Sequence, residues 1–343
     1  MEQRFLGRSG LELSVLGFGA MTFGDGQAAG LGVTDLAGAR RQVDRCIDAG
    51  INLFDTADIY SRGRSEEILG EALGVKRSSV ILATKAFGAM GRGAHDRGLS
   101  RRHLIDACDA SLRRLGTDWI DLYQLHCHDA LVPIEETLRA LDDLVRAGKI
   151  RYVGCSNYAG WQLMKALATA DRLSIARFMG QQIQYSLLAR DAENELLPCG
   201  VSEGVGALIW SPLAQGYLSG KFSGGDGGET DTRLGPTRQV ASYHRRGGEA
   251  IVEQLRAIAA DHDGATPSQV ALNWVRARPG VTSVLIGARS DAQLEDNIAA
   301  ANWSLSPEEI ERLDRASQPV PSYPASHQRA YHLDRNPQLF PRY

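Results

Sequence analysis

Seven short apolar runs recur along the chain: INLF (51–54), SSVILAT (78–84), IDLYQL (120–125), IRYVGC (150–155), MGQQIQY (179–185), GALIW (206–210) and TSVLIG (282–287). An eighth lies near Val15 to Phe18. Most are continuous rather than alternating in polarity, which predicts strands covered on both faces. Between them the period changes. Leu104, Ala107, Cys108, Ser111, Leu112 and Leu115 follow one helix face, and Leu138, Leu141, Leu144 and Val145 repeat the pattern one unit later. Gly50 and Gly148, each after an alanine and before a strand, read as left-handed helix ends. Ser306-Pro307-Glu308-Glu309 and Thr266-Pro267-Ser268-Gln269 each combine an N-cap, a proline at the first helical position and a capping-box partner.

Strands alternating with helices, with right-handed crossovers and no composition break, predict an α/β fold: a closed (β/α)8 TIM barrel. An open doubly wound sheet is the runner-up, but its GxGxxG turn is missing, since Gly17-Phe18-Gly19-Ala20-Met21-Thr22-Phe23-Gly24 has the wrong spacing. Two segments interrupt the alternation. RFLGRSGLELSVL reads as an N-terminal β-hairpin turning at Ser9-Gly10, placed to plug the barrel floor. Residues 214–247, after the seventh barrel strand, form a long loop containing Ser223-Gly224-Gly225-Asp226-Gly227-Gly228, either a functional lid or disordered. No Gly-Lys-Ser/Thr follows that glycine cluster, which argues against a phosphate loop. The expectation is a single domain over residues 1–343, with the barrel at about 4–317 and a tail at 318–343 rich in aromatics, Tyr323, Tyr331, Phe340 and Tyr343.

Composition narrows the function classes. A formal charge of −3 spread over both signs points to no nucleic-acid partner. No run approaches the roughly 18 apolar residues of a membrane span, and MEQRFLGRSG lacks a cationic-then-apolar leader. The five cysteines, at 46, 108, 127, 155 and 199, are never in CxxC spacing and suggest neither a disulfide frame nor a zinc ribbon. A reducing cytoplasm is the expected location.

Asp55, Tyr60, Lys85 and His126 stand at the ends of successive strands, where a barrel gathers its catalytic groups. A phenol is a poor acid at neutral pH unless a neighbouring cation stabilises the phenolate it leaves. Lys85 is that cation, Asp55 its partner, and His126 can polarise a carbonyl oxygen from the other side. The four together predict reduction of a carbonyl group with Tyr60 as general acid. Each residue has a plainer reading: a helix cap for Asp55, rim packing for Tyr60, a solvated strand end for Lys85, and a metal ligand with His128 for His126, although no third ligand clusters there. All four plain readings have to hold at once to displace the catalytic one.

DTADIY around Asp55 and Tyr60, the strand-end Lys85, QLH ending at His126, GCSN at 154–157, QIQYS at 182–186, WSPLAQG at 210–216 and GARSDAQLEDN at 287–297 together resemble the aldo-keto reductase superfamily. Within it, the long loop and the SN, QxxYS and SPL motifs look like the bacterial branch related to potassium-channel β-subunits. The resemblance implies NADPH as cofactor, ahead of NADH. It places the nicotinamide carboxamide on Ser156, Asn157 and Gln182, and the ring against Trp210. Gly19, Met21 and Asp55 border the same site. Ser211, Pro212, Leu213, Gln215 and Gly216 follow the pyrophosphate, with Leu218, Gly220 and Lys221 extending them under the loop. Gly287, Arg289, Gln293 and Asn297 are implied to hold the adenosine 2′-phosphate and adenine; Arg289 at a helix start suits an anion on physical grounds too, while Gln293 also fits a capping box with Ser290.

The chain departs from the family pattern at three points. Ser61 replaces the glycine common after the tyrosine, Asp296 stands where glutamate is frequent, and Cys127-His128-Asp129 is unusual beside the substrate. The expected substrate wall is Met21, Phe23, Tyr60, Phe87, His126, Cys127, His128 and Trp210, and the expected partner is a small-molecule aldehyde or ketone. Whether the chain is a monomer or a homo-oligomer is not legible. A second reading is a cofactor-binding regulatory subunit of the channel β-subunit type, with little turnover.

Overall fold

A computed structural model describes residues 1–26, 32–222, 238–320 and 323–330. The chain opens with two antiparallel strands, β1 (Gln3–Phe5) and β2 (Glu12–Ser14), and then alternates. β3 (Leu16–Gly19), α1 (Leu36–Asp48), β4 (Leu53–Asp55), α2 (Arg64–Leu73), β5 (Ile81–Ala86), α3 (Arg101–Leu115), β6 (Ile120–Leu125) and α4 (Ile134–Arg146) make the first half. The second half runs through β7 (Ile150–Ser156), α5 (Gly160–Leu173), β8 (Phe178–Gln184), α6 (Leu196–Glu203) and β9 (Gly206–Trp210) to α7 (Arg238–Arg245), α8 (Gly248–Ala260) and α9 (Pro267–Arg276). It ends with β10 (Val281–Ile286), α10 (Asp291–Ala299), α11 (Pro307–Ala316) and α12 (Ala325–Ala330). Strands β3 to β10 are parallel, and β10 pairs back onto β3, Ile286 against Phe18, to close an eight-stranded barrel. The open-sheet alternative fails at that pairing, because an open sheet leaves its edge strands unpaired.

The floor is closed by the hairpin. Leu6, Leu11 and Leu13 pack with Leu53, Ala83, Leu122, Leu208 and Leu285, which point down from the strands. Leu6 is fully buried, so trimming it to alanine is expected to cost about 2–5 kcal/mol. With that end filled by side chains, only the carboxyl end of the barrel is left to hold a site.

Helix ends follow the local chemistry. Gly50 and Gly148 adopt φ of 83° and 72°, the left-handed geometry expected of them. Ser306 and Glu309 form the reciprocal capping box, with Ser306 N donating to Glu309 Oε2 at 2.7 Å and Glu309 N to Ser306 Oγ at 3.2 Å. At Thr266 only half the box forms, because Gln269 Oε1, the oxygen that would accept from the Thr266 N–H, accepts instead from Trp303 Nε1 at 3.1 Å; Gln269 Nε2 donates to Asp296 Oδ1 at 2.8 Å and joins α9 to α10. The long segment after β9 contains two described helical stretches, Ala214–Ser219 and α7, with a bend and turn over Gly220 to Phe222; Ser223 to Gly228 lie outside the described residues.

Candidate functional site

The four catalytic candidates meet at the carboxyl ends of the strands, the face on which such barrels carry their sites. Asp55 is the last residue of β4 and Lys85 the penultimate one of β5; His126 follows β6, and Tyr60 opens a short turn, Tyr60–Gly63, beyond β4. Lys85 is fully buried; its Nζ donates to Asp55 Oδ2 at 2.5 Å and to the Thr56 carbonyl at 2.7 Å, and lies 5.1 Å from the centroid of the Tyr60 ring. Burial pulls the ammonium toward neutrality, but attraction to Asp55 and then to Tyr60 outweighs it and leaves the Lys85 pKa above its ordinary value. The lysine therefore stays charged beneath the phenol.

Asp55 is held from its other oxygen, where Oδ1 accepts from Gln124 Nε2 at 3.0 Å and Gln182 Nε2 at 2.8 Å. Gln124 is a site residue that the motif reading missed. The signal was available: it precedes His126 by two on β6 and so faces the same way. His126 meets the Tyr60 ring edge-on, with centroids 5.7 Å apart. Burial first, and the Lys85 cation second, drop the His126 pKa to about 3, so at neutral pH the imidazole is neutral and offers one N–H donor.

A cavity of about 740 Å³ opens over the cluster, within the usual range for a small-molecule site. Asp55, Tyr60 and His126 border it, together with Gly19, Met21, Ser156, Asn157, Gln182 and Trp210. Ser211, Pro212, Leu213, Gln215, Gly216 and Lys221 from the segment after β9, and Gly287, Arg289, Gln293 and Asn297 from beyond β10, also line it. Asp296, noted in the sequence as a departure from the family pattern, also lines it, as do Thr266 and Ser268, which the sequence marks only as a helix start, and Thr22 and Ser219, which the sequence does not mark. Backbone strain collects here. Asn157, Ser211, Ala214 and Gln215 take φ between 48° and 58°, a left-handed region that residues with side chains occupy at a cost and that tends to persist at functional sites. Asn157 also pins its neighbours, with Nδ2 donating to the His126 carbonyl at 3.0 Å and Oδ1 accepting from Trp210 Nε1 at 3.2 Å.

Several expected positions are corrected. Phe23 is fully buried against Phe18, ring centroids 5.4 Å apart, and does not line the cavity; a residue near a strand end can turn into the core as readily as out of it. Leu218, in the short helical stretch Ala214–Ser219, is fully buried in the core. Phe87 and Cys127 are half-buried and off the cavity wall, and His128 packs its ring against Tyr158 and Trp161. Gln182 stays on the cavity wall; its side-chain N–H is spent on Asp55, and its backbone carbonyl accepts from Ser156 Oγ at 2.9 Å. Gln293 lines the cavity and also caps α10, its Oε1 accepting from Arg289 N at 3.0 Å and its own N donating to Ser290 Oγ at 3.3 Å. Of the tail, Tyr323, Pro324 and Gln328 border a second cavity of about 790 Å³ that shares Asn157 and Trp210 with the first; Tyr331, Phe340 and Tyr343 lie outside the described residues.

Behind Lys85 sits a layer of buried polar groups. Glu66 accepts from Thr84 Oγ1 and Arg114 Nε, each at 2.6 Å. Asp58 is fully buried beside them, and neither of its carboxyl oxygens has a well-formed hydrogen bond. Burial, then the charge of Glu66, raise its pKa to about 7; the Ile59 N–H, Arg114 and Lys85 offset only part of that.

The Aldo/keto reductase family model matches residues 15–318. A probable voltage-gated potassium channel subunit beta of Arabidopsis thaliana is 36% identical over 340 residues, covering 95% of this chain and all of the relative. The uncharacterized oxidoreductase YrpG of Bacillus subtilis is 40% identical over 332 residues, 92% of this chain and 95% of its own length. Versiconal hemiacetal acetate reductase of Aspergillus parasiticus is 33% identical over 344 residues, 94% of this chain and 99% of its own. A barrel with this site, matched by that model from its first barrel strand to beyond its last, belongs to the aldo/keto reductase family, and the chain is an NAD(P)H-dependent oxidoreductase.

Proposed function

We propose that the chain reduces aldehydes or ketones to alcohols with NADPH, Tyr60 giving the proton with help from Lys85, Asp55 and His126. The observation that carries this reading is the buried Lys85 ammonium, fixed by Asp55 and set against the ring of Tyr60, which lines the cavity. When bound, the dinucleotide supplies hydride to the carbonyl carbon. As the carbonyl oxygen gains negative charge it draws a hydrogen bond, then the proton, from the Tyr60 hydroxyl. The phenolate left behind faces Lys85, whose charge is prepaid by the Asp55 pair. Neutral His126 donates its N–H to the same oxygen, a contact that strengthens only as charge develops. Run backwards, the phenolate is the base.

The donor set suits a dinucleotide phosphate. Lys221 and Arg289 bring positive charge to the wall, and α10 begins at Ser290 with its amino end toward the cavity, where backbone N–H groups favour an anion. We place the carboxamide on Ser156, Asn157 and the side-chain carbonyl of Gln182, and the 2′-phosphate at Arg289. Residues 1–343 act as one unit in this reading. A cytoplasmic location accords with five free thiols and with the finding that no described helix is long and apolar enough to cross a membrane.

A second reading is supported by the relatives named as channel subunits: a barrel that binds cofactor and acts by protein contact. The experiment is an optical assay of NADPH and NADH oxidation against a panel of carbonyl compounds, with Tyr60→Phe in parallel. Turnover that Tyr60→Phe abolishes while cofactor binding persists supports the reductase. Absence of turnover with every carbonyl moves the weight to the regulatory reading, and a fully active Tyr60→Phe removes the phenol from the mechanism.

A further inference from the structure

The turn that carries Tyr60 is held in an unusual way. After Tyr60 come Ser61 at φ 47°, ψ 33° and Arg62 at φ 54°, ψ 43°, then Gly63 at φ 93°: three left-handed residues in succession, two of them with side chains. Glycine takes this geometry without penalty, so a serine here needs a compensating contact. It has one. Ser61 Oγ donates to the Phe23 carbonyl at 3.0 Å. One helical turn later, fully buried Ser65 donates from Oγ to the Ala20 carbonyl at 2.8 Å, and lies 2.9 Å from Thr56 Oγ1.

The two acceptors bracket Met21 and Thr22, both on the cavity wall. The partners run in opposite order along the two segments, residue 61 against 23 and residue 65 against 20, so the contacts fix both the distance and the orientation of one segment on the other. The receiving segment is itself braced: Gly24 N donates to the Thr34 carbonyl at 3.0 Å and Thr34 N to the Thr22 carbonyl at 2.9 Å. Packing around Ser61 is close. A Cβ added at Gly24 or at Gly32 would come within 2.6 Å of its hydroxyl; at Gly24 it would also come within 2.8 Å of the Gly32 backbone, and Gly32 has a left-handed φ of 67°, so both positions call for glycine.

We infer that Ser61 and Ser65 are positioning residues, a two-point clasp that sets the register of the Tyr60 turn against the cavity-lining residues Met21 and Thr22. The inference rests on Tyr60 being the proton donor. It touches neither substrate nor cofactor directly. Its action is to hold the phenol at the distance from the cavity at which a proton can pass, and the strain at Ser61 persists because relaxing it would release the Phe23 carbonyl.

The test compares Ser61→Ala, which keeps the strained backbone and loses the hydroxyl, with Ser61→Gly, which loses both, and adds Ser65→Ala. Each is measured for kcat, carbonyl KM, NADPH dissociation constant, solvent deuterium isotope effect on kcat and melting temperature, with Tyr60→Phe alongside. Losing one such hydrogen bond corresponds to a drop of about three- to tenfold in kcat. The clasp predicts that drop in both Ser61 variants and in Ser65→Ala, with a larger isotope effect because proton donation becomes more limiting, and with KM and cofactor affinity within about twofold of wild type. Ser61→Gly at wild-type kcat overturns the inference, since glycine then relieves strain and nothing is lost. A kcat loss accompanied in proportion by weaker cofactor binding and a lower melting temperature also overturns it, as general structural damage. Should Tyr60→Phe stay active, the proton-donor reading itself falls and takes the clasp with it; should Tyr60→Phe be inactive while the serine variants match wild type, the clasp alone is wrong.

Discussion

Replacing Asp58 with asparagine should stabilise the protein in a pH-dependent way. The carboxyl is fully buried behind Lys85, without a well-formed hydrogen bond to either oxygen, and burial followed by repulsion from Glu66 lifts its pKa from 3.8 to about 7. Facing it are Glu66 from α2, Arg114 from α3 and Lys85 from β5, the last two offsetting part of the rise. The sign follows from proton counting. Below pH 3.8 both folded and unfolded chains hold the proton and Asp58 costs nothing. Between there and about pH 7 only the folded chain holds it, so stability falls as pH rises, by about 1.4 kcal/mol per unit, and levels off above. A shift of roughly three units makes the full penalty about 4 kcal/mol, of which about 2–3 kcal/mol develops between pH 5 and pH 8. Asparagine keeps the shape and cannot ionise. Urea unfolding of both proteins at pH 5, 6, 7 and 8 should show the variant gaining on wild type across that interval. A difference that stays flat with pH would refute the placement of an uncompensated carboxyl at this position.

His126, with its pKa lowered to about 3 from 6.5, contributes stability that is present above pH 6.5 and lost on acidification toward pH 3. His126→Gln should remove that component of the acid-side slope in urea midpoints, and the wild-type kcat profile should show no inflection near pH 6.5. Arg114→Ala leaves Glu66 buried with Thr84 as its remaining side-chain partner and should cost about 3–5 kcal/mol by thermal or urea unfolding; a loss under 1 kcal/mol would mean the pair is better solvated than its geometry implies. Arg289→Ala should weaken NADPH binding far more than NADH binding in fluorescence titrations, and equal losses would remove it from the 2′-phosphate.

The barrel strands are legible because strands buried on both faces are written as unbroken apolar runs, and IDLYQL and GALIW coincide with β6 and β9 residue for residue. The run INLF is less faithful. Its strand begins at Leu53 and continues through Asp55, since the ladder to β5 pairs Leu53 with Ile81 and Asp55 with Ala83 whatever the polarity of the side chain. Motifs placed the four catalytic candidates and most of the cavity wall, but not direction. Phe23 lies two residues from Met21 and turns inward where Met21 turns out, a choice made by the space beside Phe18.

Strand number, hairpin, helix caps and the residue types at the strand ends are therefore properties of the sequence itself, because each depends on neighbours a few positions apart. Closure of the sheet at β10 against β3, the grip of Gln124 and Gln182 on Asp55, and the burial of Asp58 beside Glu66 and Arg114 belong to the tertiary structure alone. These join residues from 8 to 127 positions apart in hydrogen-bonded or charged contacts, or strands at opposite ends of the chain. Their strength comes from exclusion of water, which no local pattern encodes and which exists only once the barrel has closed.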